Sequence, residues 1–209
     1  MTTLKFITTF LLIALYSCGQ KPAKHKVDPA AVELNNRAMK LVKFIDNADS
    51  SKKAISLLDN ATSIDSNYFL GHFNKLMFFN QLKQFDKAAE TMNECIRIKP
   101  FAHDLYLAGG ILYERIGDSI SSKKFFEKSL AICNTVLDTM NKTNRDYEML
   151  VGNEAVNLIM LGDEIKANEL LKKLYDSQTD EALKKMTLSM MNKSKKELLA
   201  SLTEDKYSR

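Results

Sequence analysis

The chain repeats itself every 34 residues, and that spacing restricts its fold more than any other feature. Ala54, Leu58, Ala61, Ile64 and Ser66 recur as Ala88, Met92, Cys95, Ile98 and Pro100, then as Ser122, Phe126, Ser129 and Ile132. The preceding segments keep the register, with Val42, Leu76 and Gly110, then Ile45, Phe79 and Tyr113. A fourth unit, marked by Ala155, Leu158, Gly162, Asp163, Ala167, Leu171 and Leu174, follows at an offset of 45. A unit this short cannot bury its own apolar face, so it must stack on its neighbours. Within units the apolar spacing is helical: Phe85, Ala88, Ala89, Met92, Cys95 and Ile96 fall on one stripe. Small residues at Ala54, Ala88, Ser122 and Ala167 let paired helices approach. Leu58, Met92, Phe126 and Leu171 fill the space one turn later. Only seven glycines and three prolines interrupt the 209 residues. Asp28 ahead of Pro29, Asp118, Thr143 or Asn144, Asp163 and Asp180 are expected to cap helix starts.

A helix–turn–helix period of this length resembles the tetratricopeptide repeat, over about residues 35–177. The resemblance implies an all-α, right-handed α-solenoid of about four units, spanning residues 29–177, with capping helices in residues 178–209. The family's turn glycine appears as Gly117 and Gly162, whereas Asp49 and Lys83 stand there in the first two units. Ser66 replaces the closing proline seen at Pro100. The 11 extra residues around Cys133–Asn144 lengthen the second helix of the third unit and add a turn. Leu183, Met186, Met190 and Met191 form a short stripe suited to covering the open end of the array. Ser194-Lys-Lys-Glu197 reads as a capping box that starts a last helix through Leu198, Leu199 and Leu202.

Residues 1–17 carry one cation, Lys5, then a short apolar run ending in Leu15-Tyr16-Ser17-Cys18-Gly19. The run is too short to span a bilayer and has the flanks of a cleaved export signal. It resembles a bacterial lipoprotein signal peptide, in which Cys18 is acylated and becomes the new N-terminus. Residues 18–28 are then the lipidated cysteine and a polar tether, of which the ten residues from Gly19 to Asp28 reach about 33 Å when extended. Several buried acyl chains would hold the protein on a membrane. By resemblance to other lipoproteins, the non-acidic Gly19 after the cysteine implies sorting to the outer membrane, and the short polar stretch after Ser17-Cys18-Gly19 resembles lipoproteins of the Bacteroidetes group. The basic stretch of Lys21, Lys24 and Lys26 implies a periplasm-facing position.

Catalytic motifs are missing from the sequence. The three histidines are scattered: His25 lies in the tether, His72 takes an aromatic core position and His103 starts a helix. There is no HExxH, CxxC, glycine-rich phosphate loop or serine elbow. No metal or cofactor is implied, and the chain reads as a non-enzyme. Cys95 and Cys133 are expected to be buried free thiols. A formal net charge of +4 is too modest to point to nucleic acid. The last 29 residues are locally basic, which fits a solvated helix face.

Function therefore falls to a surface. The resemblance places the first helix of each unit along a concave groove. Its lining would be Phe73, Met77, Asn80, Gln81, Leu107, Ile111, Glu114, Arg115 and Val156. An apolar floor at solvent-facing positions suits a peptide or amphipathic helix of a partner protein. Three occupants stay open: a partner, the chain's own C-terminal helices, or a second copy in a homodimer. Family members that grip chaperone C-termini use a basic and asparagine clamp. Met39, Asp104 and Ala108 stand at three clamp positions here, with only Lys43 and Asn74 as partial matches. The expected function is a membrane-anchored adaptor of the cell envelope. The alternative is a fixed subunit of an outer-membrane assembly or secretion machine, because β-barrel assembly lipoproteins and pilus pilotins share this plan.

Overall fold

The computed structural model describes residues 25–144 and 146–203. These residues form ten α-helices joined by short turns, and no strand occurs among them. The helices pair as α1 (Pro29–Met39) with α2 (Ala48–Ile64), and α3 (Phe69–Gln81) with α4 (Phe85–Ile98). The next pairs are α5 (His103–Arg115) with α6 (Ser119–Leu137), and α7 (Tyr147–Leu161) with α8 (Glu164–Ser177). Two more helices follow, α9 (Glu181–Met190) and α10 (Lys195–Thr203). Each helix from α1 to α8 packs on the next, α1 also meets α3, and α5 meets α7. This is an all-α solenoid.

The repeated positions form its core. Ala54, Ala88, Ser122 and Ala167 are fully buried, as are Leu58, Phe126 and Leu171, with Met92 nearly so. Close helix approach is clearest between α5 and α6. A β-carbon on Gly110 would lie 2.5 Å from the Phe126 ring, and one on Gly109 would lie 2.5 Å from Phe125. Ser129 is buried at the same repeat position as Cys95, and its hydroxyl donates to the His103 carbonyl at 2.8 Å. Asn157, also fully buried, donates to the Ser129 hydroxyl at 3.0 Å. The third unit is therefore held by hydrogen bonds where the second relies on apolar contact.

Several starts are set by caps that the sequence announces. Asp28, Asp118, Asp163 and Asp180 accept backbone N–H bonds from Ala30, Ser121, Lys166 and Leu183. Ser194 and Glu197 form the reciprocal capping box: the Ser194 N–H donates to the Glu197 carboxylate at 2.9 Å, and the Glu197 N–H donates to the Ser194 hydroxyl at 3.3 Å. Thr143 and Asn144 do not cap α7. Asn144 instead accepts from the Asp146 N–H at 2.9 Å, an Asx turn, and the helix begins at Tyr147. The long α6 absorbs much of the insertion, leaving a polar loop before α7.

The turn positions diverge from the repeat in an instructive way. Gly117 and Gly162 have φ of 80° and 89°, and Lys83 takes the same left-handed conformation at 55°. Asp49 does not: it lies inside α2, capped by Asn47. The first unit makes its turn with a short 3₁₀ segment, Val42–Phe44, stabilised by the Ser51 hydroxyl bonding to the Ile45 carbonyl at 2.8 Å. His25 is not isolated either. Its ring meets the Asp65 carboxylate at 2.9 Å, tying the start of the described chain to the loop between α2 and α3. His72 is buried and donates to the Ser66 carbonyl at 3.1 Å. Burial lowers its pKa, so it stays a neutral packing residue. Cys95 and Cys133 are free and buried.

Candidate protein-interaction groove

The first helices of the units, α1, α3, α5 and α7, place matching repeat positions side by side. Phe73, Leu107 and Gly152 share one position; Met77, Ile111 and Val156 share the next; Leu70, one turn before Phe73, lies on the same face of α3. The two ends of this row differ in what covers them.

On α3 the row is open. Leu70 is 50% exposed and Phe73 is 43% exposed. The Phe73 ring stacks on Phe69 with centroids 5.5 Å apart, and the Lys99 ammonium sits 3.6 Å from the Phe69 ring centroid. These contacts orient the aromatic pair before any partner arrives. Met77 packs partly against the cluster of Ala38, Ala54, Leu58 and Phe78. Asn74 donates to Asn35 of α1 at 2.7 Å, and Gln81 donates to Asp46 at 3.2 Å. The Asn80 side-chain oxygen is buried with no hydrogen-bond partner.

On α7 the row is covered by the chain itself. Helix α10 turns back and packs on α7. Leu198 inserts into the cluster of Phe126, Ala155, Val156 and Ile159, with Leu107, Ile111, Met190 and Met191 packed around it. Val156, expected to line an open groove, is therefore buried. Gly152 leaves room for Met190, whose terminal methyl is 3.9 Å from where a β-carbon would stand. Glu114 is not a free rim group: it binds the Lys195 ammonium at 2.7 Å and accepts from the Ser122 hydroxyl at 2.6 Å. Arg115 does not join the groove, because its guanidinium lies 3.9 Å over the Phe85 ring of α4. A sequence pattern shows which helix face a residue occupies but not where a long side chain ends, so Arg115 was unreadable.

Nothing in the groove resembles a reaction centre. Among the described residues, no group of three or more His, Cys, Asp or Glu could hold a metal ion. No described helix is long and apolar enough to cross a membrane. The two thiols are pushed up to about 11 by burial, so neither is a ready nucleophile.

Residues 71–101, which cover most of α3, all of α4 and the following turn, match the family profile of the tetratricopeptide repeat. The chain carries a tetratricopeptide repeat. Two solved structures extend the likeness to the rest of the array. PilW, described as a widely conserved type IV pilus biogenesis factor, superposes with a TM-score of 0.53 at 18% identity. The match covers 85% of this chain and 71% of PilW. MamA (residues 41 to its end) from Desulfovibrio magneticus RS-1 superposes with a TM-score of 0.50 at 14% identity. That match covers 72% of this chain and 78% of MamA. At these identities the likeness is one of fold: an all-α tetratricopeptide solenoid. No curated protein matches the sequence. Tetratricopeptide proteins are typically non-catalytic interaction scaffolds.

Proposed function

We propose that this chain is a non-enzymatic adaptor that binds a peptide or amphipathic helix of a partner protein along its concave groove. The observation that carries this reading is the exposure of Leu70 and Phe73 at adjacent groove positions of α3. Apolar side chains at a concave surface mark a contact waiting for a partner. Met77 beside them adapts its shape at little cost. Gln81, already hydrogen-bonded to Asp46, forms part of a polar rim that orients what binds.

The adaptor acts from a membrane surface. Cys18, in Ser17-Cys18-Gly19, is its lipidation site, and the tether holds the array at the outer membrane, facing the periplasm. Residues 1–24 lie outside the described residues. The signal-like sequence supports the anchor, and the likeness to a pilus biogenesis factor supports an envelope setting. That likeness also favours a second reading, a fixed subunit of an envelope assembly machine.

The test is Leu70→Glu with Phe73→Glu in the full chain, using capture of a partner from the native envelope and circular dichroism together. Loss of capture with helicity intact supports the groove. Unchanged capture would remove Leu70 and Phe73 from the binding surface. Stoichiometric co-purification of a fixed set of partners would favour the machine subunit. Cys18→Ala should leave the protein unprocessed or released from membranes; unchanged processing and retention would contradict lipidation.

A further inference from the structure

The covered end of the groove says what the groove accepts. Helix α9 already continues the stack on α8, taking the place of a fifth unit's first helix. Helix α10 does not extend that stack. It crosses back to α7 and lies on the groove positions. Val156 beneath it corresponds in the repeat to Met77, and Gly152 corresponds to Phe73. The surface α10 covers is thus the continuation of the one left open on α3.

The seat has a definite chemistry. One leucine, Leu198, is 2% exposed within it, and Leu199 packs alongside. One acid, Glu114, stands at its edge with a side chain only 12% exposed, and Lys195 answers it at 2.7 Å. A second acid, Glu164, accepts the Lys195 backbone N–H at 3.1 Å. A carboxylate this shielded from water prefers a cation over an uncharged neighbour. The seat therefore reads a cation followed, one turn later, by a pair of leucines on one helical face.

The occupant is attached lightly. Helix α10 spans nine residues, too few to hold helical structure without its cap and its seat. The link from α9 passes through Asn192 in the left-handed conformation (φ 58°), with its N–H on Asn168 at 2.7 Å. Leu202, one turn past Leu198, is 48% exposed. A nine-residue helix whose seat rests on Leu198 with Leu199 beside it, the Lys195–Glu114 ion pair and the Lys195 N–H on Glu164 is placed to exchange with a helix that offers the same groups.

We infer that α10 is a built-in stand-in for the partner: the α5–α7 half of the groove binds, in α10's place, an amphipathic helix with a lysine or arginine one turn before a leucine pair. The inference rests on the reading of the groove as a binding surface and supplies the class of ligand. In the resting chain α10 competes at the millimolar effective concentration of a short linker, so the seat opens only to a partner able to displace it.

The probe is a fluorescein-labelled peptide of residues 191–203, titrated by anisotropy against the full chain and two variants. Lys195→Glu turns the ion pair into a repulsion, and Leu198→Asp empties the apolar seat; circular dichroism checks both. The peptide should bind either variant at least tenfold more tightly than wild type. Glu114→Lys should reject the native peptide and take up one carrying Lys195→Glu. Equal or absent binding to all three chains, or indifference to the charge swap, would overturn the inference. A released variant that dimerises and rejects the peptide would assign the seat to a second copy's α10 and overturn it equally. Leu70 and Phe73 lie outside this seat, so failure of the capture experiment with success here would refute only the open-groove reading.

Discussion

Gly110→Ala puts the packing of the array to a quantitative test. The new β-carbon would sit 2.5, 2.7 and 2.8 Å from three atoms of the Phe126 ring. Phe126 is fully buried, enclosed by Ala155, Val156 and Ile159 of the next unit, so its ring has nowhere to retreat. Overpacking of this kind costs about 1–3 kcal/mol. Alanine returns about 1 kcal/mol through its helix propensity. The net expected loss is up to about 2 kcal/mol, equivalent to a fall in Tm of up to about 8 °C for a domain of this size. Gly109→Ala should be milder, because Phe125 is only half-buried and can swing away. Adding Phe126→Leu to Gly110→Ala should recover part of the loss, giving a coupling of about 0.5–3 kcal/mol in a double-mutant cycle. Thermal and urea unfolding of wild type, Gly109→Ala, Gly110→Ala, Phe126→Leu and the double variant reads all of these quantities. A stabilised Gly110→Ala chain, or additivity with Phe126→Leu, would refute the claim that this pair sets the α5–α6 distance.

Further predictions follow from particular contacts. Burial alone would raise the Asp65 carboxyl, but hydrogen bonds from the Asp28 N–H, the His25 ring and the Asn67 N–H outweigh it and hold it below its ordinary value. A depressed pKa contributes stability above the unfolded value of about 3.9, and loses it as pH falls through the folded value. Asp65→Asn should thus cost about 1 kcal/mol at pH 7, and urea titrations should show that gap closing below about pH 4. Cys95 and Cys133, buried and with thiol pKa values near 11, should resist maleimide at neutral pH and react fully in urea. Gly117→Ala should cost about 1 kcal/mol for backbone reasons alone; its φ is 80° and nothing lies within 4 Å of the added carbon.

What the sequence made legible was whatever depends on local spacing. The repeated small and large residues at Ala88 and Met92, or Ser122 and Phe126, report helix pairing directly, because their burial is the same in every unit. The aspartate caps and the Ser194–Glu197 box are equally local, each joining residues three positions apart. The groove was legible only by position. Phe73 and Val156 look alike as apolar residues on the groove faces of their helices, one turn apart in the repeat, yet one is open and the other lies under α10. The difference comes from four residues, Met191–Ser194, whose turn sends a short amphipathic helix back instead of onward. The stripe of leucines in α10 is the same for either path. The His25–Asp65 contact spans 40 positions and has no local signature at all. In the first unit the turn was misplaced because α2 begins at Ala48, three residues earlier in the repeat than α4 at Phe85, so Asp49 falls inside the helix while Ala54 and Leu58 keep the common register.

The central claim is that the open face of α3 contacts a partner protein. A photo-crosslinking amino acid placed at Phe73 of the full chain, in its native envelope, tests it most directly. The same group at Lys87, exposed on α4 in the second helix of that unit, is the control. The account predicts a discrete protein adduct from position 73 and none from position 87. Equal adducts from both positions, or none from either, would contradict it.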